Sequence, residues 1–200
     1  MKLYFSPGAC SLSPHIALIE AGLPYSIELA STSSLHVTAA TEFYTINPLG
    51  YVPVLELDNG QRLREGQAIV QYIADQAPAS KLAPANGTFE RYQLQEWLTF
   101  IGTEVHKNFS PLFNPNMPDV AKDMARAQLL KRLTWVDQQL ANQDFLMGSQ
   151  FSVADGYLFT VCGWIGFAKI DVSHLGNLAK FLSRVGDRPS VQKAIAEEKQ

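Results

Sequence analysis

Cys10 is the residue of this 200-residue chain whose type and setting best suit chemistry. It stands between a short β-prone run, Lys2–Phe5, closed by Ser6-Pro7-Gly8, and Ser11-Leu12-Ser13-Pro14, which supplies the N-cap and first turn of a helix. A thiol at a helix start meets unpaired backbone N–H groups and the positive end of the helix dipole, and both favour the thiolate. The local pattern is C-x-x-S, Cys10 with Ser13. A C-x-x-C pair expels a bound partner by closing an internal disulfide, whereas a single cysteine keeps a mixed disulfide until an outside thiol arrives. A thiol cosubstrate is therefore implied. The second cysteine, Cys162, falls among Phe159, Val161 and Trp164 and reads as core packing. Two cysteines are too few for a disulfide scaffold and offer no paired zinc spacing, so no metal is expected.

The elements that must position Cys10 occupy the first 80 residues. Strand, loop and helix over Lys2 to Gly22 are followed by a strand at Tyr25–Leu29, with Ile27 and Leu29 on one face, and a short helix at Thr38–Ile46 stopped by Asn47-Pro48. A right-handed βαβ unit is the economical arrangement. Val52–Leu57, Asp58-Asn59-Gly60 and Gln61–Arg64 form a hairpin signature. Pro53 has no N–H for a central ladder, so it belongs at a strand start, and a cis bond after Val52 suits a tight entry there. A helix then runs from Gly66 to Ala77-Pro78 on Ala68, Ile69, Tyr72 and Ile73. The order is βαβαββα.

Residues 78–87 read as a linker, and no convincing strand follows them. Thr88–Phe109 is helical with Trp97, Ile101 and Val105 spaced by four, and Ser110-Pro111 through Pro118 breaks it. A long helix runs from Asp119 to Ala141 with an apolar stripe at Leu129, Leu130, Leu133, Val136 and Leu140. Ser152 and Asp155 have capping-box spacing for the next helix, and two shorter helices, Leu175–Val185 and Ser190–Glu198, close the chain. At 3.6 residues per turn Thr99, Thr103 and His106 share one face, a polar stripe opposite Trp97 and Ile101.

Composition limits the partners. Hydrophobic residues make up 46% and charged residues 18%, which provides for packed cores and argues against global disorder. The formal charge of -3 carries no block of like charges, so neither a nucleic-acid backbone nor an anionic membrane surface is an expected partner. No apolar run approaches the roughly 20 residues that span a bilayer, and the first residues lack a secretory pattern, so a cytoplasmic location is expected.

Several separated motifs together resemble a known family. Tyr4-Phe5-Ser6-Pro7-Gly8-Ala9-Cys10-Ser11-Leu12-Ser13-Pro14-His15, Asn47-Pro48-Leu49-Gly50-Tyr51-Val52-Pro53-Val54-Leu55, Glu65-Gly66-Gln67-Ala68-Ile69, Val105-His106-Lys107 and the Ser152–Asp155 box are similar to the bacterial beta-class glutathione S-transferases, in order and over the whole chain. The resemblance implies the glutathione transferase fold, α/β plus all-α: a thioredoxin-like domain over 1–80 and an all-helical domain over 87–200. It also implies a homodimer that binds glutathione between the two domains.

Roles follow by the same resemblance. Val52, with Pro53, would present its backbone N–H and C=O to the cysteinyl part of glutathione in strand-like pairing. Glu65 and Gly66, at a helix start, would hold a glutathione carboxylate on backbone N–H groups and the γ-glutamyl ammonium on Glu65. His106 would hydrogen-bond the sulfur, facing Cys10 across the domain cleft, with Cys10 and Ser11 favouring the thiolate. Thr99, Thr103, Glu104, Val105 and Lys107 would line the glutathione site, partly from the neighbouring subunit. Phe109, Phe113, Trp164 and Phe167 are the expected hydrophobic substrate surface. His15, His36 and His174 are read as structural or solvated.

The chain departs from the family pattern at three positions. Leu35 stands where a lysine is common, Thr99 where asparagine is common, and Gly156 leaves Phe151 without a hydrophobic-staple partner. The missing charge at Leu35 predicts weaker glutathione binding. The leading expectation is conjugation of reduced glutathione to hydrophobic electrophiles. The alternatives are thiol-disulfide transfer through a Cys10–glutathione mixed disulfide and a noncatalytic ligand-binding module.

Overall fold

Lys2–Phe5 alternates polar and apolar only weakly because β1 is covered on both faces. The computed structural model describes residues 1–30, 36–37 and 41–199, and in it β1 (Lys2–Phe5) lies inside a four-stranded sheet of order β2-β1-β5-β6. It pairs in parallel with β2 (Ser26–Leu29) and antiparallel with β5 (Val54–Glu56), which pairs antiparallel with β6 (Arg62–Arg64). The parallel step is made by α1 (Leu12–Glu20), so the expected βαβ unit is present. Strand periodicity then divides the core. Tyr4 and Val54 face Phe43, Ile46, Val52 and Ala30, with Ala9 packed against them. Leu3, Phe5 and Leu55 face the opposite way and are buried. On that side α1 packs against α3 (Gly66–Gln76).

The helix expected at Thr38–Ile46 gives way in part to strand. Residues 36–37 and 41–42 form a two-stranded antiparallel pair, β3 (His36–Val37) and β4 (Thr41–Glu42), and among the described residues of that span Phe43–Ile46 is helical, as α2; residues 38–40 lie outside the described residues. β-branched Val37 and Thr41 favour strand over helix, and helix resumes where Phe43 and Ile46 enter the core. Leu35 lies outside the described residues.

The chain forms two compact units, Met1–Ala83 with Arg188–Gln200, and Pro84–Asp187. The last helix, α10 (Pro189–Glu197), therefore belongs with the sheet and does not close the helical unit. Charge holds it there. Arg188 donates twice to the Glu20 carboxylate, at 2.7 and 2.9 Å, and the Ser190 hydroxyl donates to the same group. Burial works to raise the Glu20 carboxyl, but these hydrogen bonds and the Arg188 charge outweigh it and hold it below the usual carboxylate range. His15, fully buried on α1, has a ring nitrogen on each of two carboxylates, Glu197 at 2.8 Å and Glu198 at 3.2 Å. His15 is thus structural, as expected.

The second unit is built from α4 (Phe89–Phe100), α5 (Lys107–Phe113), α6 (Asp119–Gln139), α7 (Val153–Cys162), α8 (Ile165–Ala168) and α9 (Gly176–Gly186). Leu94 and Leu98 of α4, Ile101 and Val105 of the segment that follows it and Phe109 of α5 are buried, together with Leu129, Leu133 and Val136 of α6, Leu158 and Val161 of α7, and Phe181 of α9. Trp97 is off that face and packs on Phe100 and Trp135 at ring distances of 5.9 and 5.3 Å.

The helix starting at Phe89 does not break at Ser110-Pro111; Pro111 lies inside α5, and the chain turns extended at Asn114, which precedes Pro115. Between α4 and α5, Ile101–His106 forms a π-helical segment, in which the Lys107 N–H donates back to the Gly102 carbonyl, five residues away. The described residues contain no helix long and apolar enough to cross a membrane.

Candidate active site

In the sheet-bearing unit the loop after β1 is held by its own serine. The Ser11 hydroxyl accepts from the Ser6 N–H at 3.1 Å and donates to the Ser6 carbonyl at 3.2 Å, and Ser11 is fully buried. Gly8 supplies the positive φ of +72° that the turn requires. Ala9 then donates to Ser6, and Leu12 and Ser13 donate to the carbonyls of Ala9 and Cys10, which starts α1. This loop leaves Cys10 partly buried, with its Sγ 3.5 Å from the Val52 carbonyl oxygen. Ser13, the last residue of the C-x-x-S pattern, is buried, and its hydroxyl has no hydrogen-bond partner.

Val52 is placed by Asn47. The Asn47 side chain is fully buried, donates to the Tyr51 carbonyl at 2.7 Å and accepts from the Leu49 N–H at 3.1 Å, and the Asn47 carbonyl accepts from Gly50. The Val52-Pro53 peptide bond is cis, as the sequence suggested, and β5 begins directly after it. Next to this loop, the Tyr51 hydroxyl donates to Glu65 at 3.0 Å. Glu65 caps α3 in a conformation with φ +66° and ψ +111°, which a side-chain-bearing residue rarely adopts. Its carbonyl takes the N–H groups of Ala68 and Ile69. Those of Gly66 and Gln67, in the first turn, lie outside the helical ladder and sit at the positive end of the dipole.

In the helical unit the chemistry gathers around one imidazole. His106 ends the π-helical segment, and its Nδ1 lies 2.7 Å from the Tyr157 hydroxyl. Trp164 stands 5.0 Å from the His106 ring. Trp164 meets Phe109 and Phe113 edge-on, each at 5.5 Å, while Phe109 and Phe113 stack at 6.2 Å and Phe113 touches Phe167 at 5.3 Å. This cluster runs from core to surface: Phe109 is fully buried, Trp164 partly buried, Phe113 42% exposed and Phe167 71% exposed.

Comparison with known proteins fits both units. Residues 8–76 match the glutathione S-transferase N-terminal domain and residues 100–189 the glutathione S-transferase C-terminal domain. The glutathione S-transferase GstA of Escherichia coli O157:H7 is 40% identical over 198 residues, 99% of this chain and 98% of that protein. The chain belongs to the glutathione S-transferase family. Among solved members of the family, BphK, a bacterial enzyme determined as a ternary complex, is 52% identical with a TM-score of 0.98 over all of both chains. The bacterial beta-class transferase of Sphingomonas chungbukensis is 45% identical with a TM-score of 0.95, over 99% of this chain and 98% of that one.

The transferase's expected site residues fare differently within each unit. Cys10, Val52, Pro53, Glu65 and Gly66 all lie in the sheet-bearing unit, on the three loops that precede α1, β5 and α3, with Gly66 the first residue of α3. Ser11 is nearby, but its hydroxyl hydrogen is directed at the Ser6 carbonyl, so its task is to hold the loop. The Val52 carbonyl is also engaged, by the Cys10 thiol. Phe109 and Val105 are fully buried, which makes them packing residues in place of ligand contacts. Their four-residue spacing marked this face as apolar from the start.

Thr99, Thr103 and Lys107 are exposed, and the Thr103 hydroxyl donates to the Thr99 carbonyl. Glu104 is paired with Arg132 at 2.6 Å. A stripe of Thr99, Thr103 and His106 requires 100° per residue throughout; the wider π turn advances each residue by less, so His106 is displaced from the line through Thr99 and Thr103. Three contributors went unseen in the sequence. Asn47 stops the expected helix in the sequence, and an Asn before Pro-x-Gly is also a turn-forming signal. Tyr157 and Arg132 lie 51 and 28 residues from their partners, and no local pattern joins them.

Proposed function

We propose that this transferase conjugates reduced glutathione to hydrophobic electrophiles in the cytoplasm, as a homodimer. Glutathione loses its thiol proton, the sulfur lone pair forms the new carbon–sulfur bond, and the leaving group departs with its electron pair. The observation that carries the reading is the set of three converging loop features in the sheet-bearing unit. These are a thiol before a helix, the Val52 backbone beside it, and a strained carboxylate at the start of α3. They suit a tripeptide with a central thiol, one cationic end and carboxylates. His106 is assigned to the glutathione sulfur, and the exposed Phe113 and Phe167 with Trp164 to the electrophile. Exposed Phe89 and Tyr92 on α4 support self-association through the helical unit.

The partly buried Cys10 thiol favours one second reading, thiol-disulfide transfer. There the Cys10 thiolate attacks a glutathionyl disulfide and releases the substrate thiol; a second glutathione then restores Cys10 and leaves as glutathione disulfide. Cys10→Ala separates the two. Conjugation of a chloronitroarene is expected to survive, because glutathione supplies the sulfur, while reduction of a mixed disulfide collapses. Loss of conjugation together with binding to a glutathione column would refute the leading reading.

A further inference from the structure

The Tyr157 hydroxyl lies 2.7 Å from His106 Nδ1, and the two rings meet edge-on at 5.8 Å and 74°. Tyr157 is buried on α7, two residues beyond Asp155, so its ring is held by the packing of that helix. Neutral imidazole has two tautomers, and a neighbour on one nitrogen decides which nitrogen carries the proton and how the ring is turned. A phenol O–H is a stronger acid than the N–H of a neutral imidazole, and an imidazole nitrogen is a stronger base than a phenol oxygen. The shared hydrogen therefore belongs to Tyr157.

We propose that Tyr157 is a positioning residue for His106: its hydroxyl donates to Nδ1, so the His106 proton sits on Nε2, which becomes a neutral N–H donor of fixed direction. This rests on the assignment of His106 to the glutathione sulfur and specifies how it serves there. A hydrogen bond to the charged form of an acid favours ionisation. An Nε2–H donor thus supports a thiolate without His106 having to be protonated. Trp164, 5.0 Å from the imidazole, limits the ring from another side.

Nitrogen-15 NMR of the full-length, histidine-labelled protein tests the tautomer directly, with the His106 signals assigned by their absence in His106→Gln. Above the pH at which the ring titrates, Nδ1 is expected to be pyridine-like and Nε2 pyrrole-like. A pyrrole-like Nδ1 overturns the proposal. In Tyr157→Phe the two tautomers are expected to mix and the ring to lose its fixed direction, and kcat for conjugation to fall about tenfold, as befits loss of the one hydrogen bond from His106 to the reacting sulfur, while KM for glutathione changes less than about twofold. An unchanged tautomer and kcat in that variant also overturn it. The wild-type spectrum does not depend on Tyr157→Phe, so the test stands even where that variant does not fold. Undiminished kcat in His106→Gln overturns the parent assignment and the kinetic part of the proposal, and is distinguishable from a wrong tautomer.

Discussion

Asp155→Asn isolates a contest between burial and hydrogen bonding at the start of α7. The Asp155 carboxylate is fully buried and accepts from the Leu146 N–H at 2.7 Å and from the Ser152 N–H and hydroxyl, both at 2.8 Å. Burial disfavours its charge, the three donors favour it, and burial prevails, pushing the carboxyl up from 3.8 to about 6. An acid whose pKa is raised by folding binds protons more readily in the native state between these two values. Its contribution to stability is therefore greatest below pH 3.8 and is lost as pH rises to about 6. Two pKa units at ~1.4 kcal/mol each make this ~3 kcal/mol in full, and ~2 kcal/mol of it is recovered by about pH 4.5.

Asparagine cannot ionise. At pH 7.5 the substitution removes the ~3 kcal/mol of charge burial but strands one or two donors at ~1–3 kcal/mol each, so the two proteins are expected to be close in stability. At about pH 4.5 only the wild type gains from protonation, and the Asn variant is expected to fall behind by a further ~2 kcal/mol. Urea unfolding of both proteins at the two pH values, followed by circular dichroism and tryptophan fluorescence, measures the gap. The acid sensitivity of Glu20 and other carboxylates is common to both and cancels. A gap that does not change with pH refutes the account. One that narrows on acidification means that the three donors outweigh burial and the carboxyl is depressed.

Two further outcomes follow from the sheet-bearing unit. Ser13→Ala removes a buried hydroxyl that has no partner, so it is expected to leave stability unchanged or raise it by up to ~1 kcal/mol; a loss above ~1 kcal/mol in urea unfolding refutes that assignment. Glu65→Gly and Glu65→Ala both remove the carboxylate and are expected to weaken glutathione binding at least about tenfold by calorimetry. Only glycine relieves the positive φ, so the Gly variant is expected to be ~1 kcal/mol more stable than the Ala variant, and equal stabilities refute strain at this position.

What was legible in the sequence is what depends on neighbours along the chain. β1, α1 and the β5–β6 hairpin declare themselves through turn residues, and Ser152 with Asp155 forms the capping box that its three-residue spacing predicted, whereas Ser11 at the start of α1 makes no cap bond. Burial of Cys162 followed from its apolar surroundings and pushes its thiol up to about 12, which leaves Cys10 as the thiol of the proposed site. Contacts across many residues were not legible. The placement of α10 depends on Glu20 meeting Arg188 and His15 meeting Glu197 and Glu198, and the C-terminal acids read alone as an ordinary solvated helix end.

The π-helical segment marks a different limit. Ile101, Val105 and Phe109 keep the four-residue spacing of a helical stripe, so a widened turn leaves the apolar pattern intact and changes only the hydrogen-bond register. Register is invisible to residue type, yet it sets the direction of His106, the last residue of the segment. The partner that meets His106 there, Tyr157, stands on a helix whose start is fixed by the Ser152–Asp155 box. Asp155 therefore bears on the imidazole through the start of the helix that carries Tyr157. A loosened cap is expected to reduce kcat under conditions where the protein is still fully folded, and Asp155→Asn assayed well below its unfolding midpoint measures this. Full kcat there would mean that α7 holds Tyr157 by core packing alone.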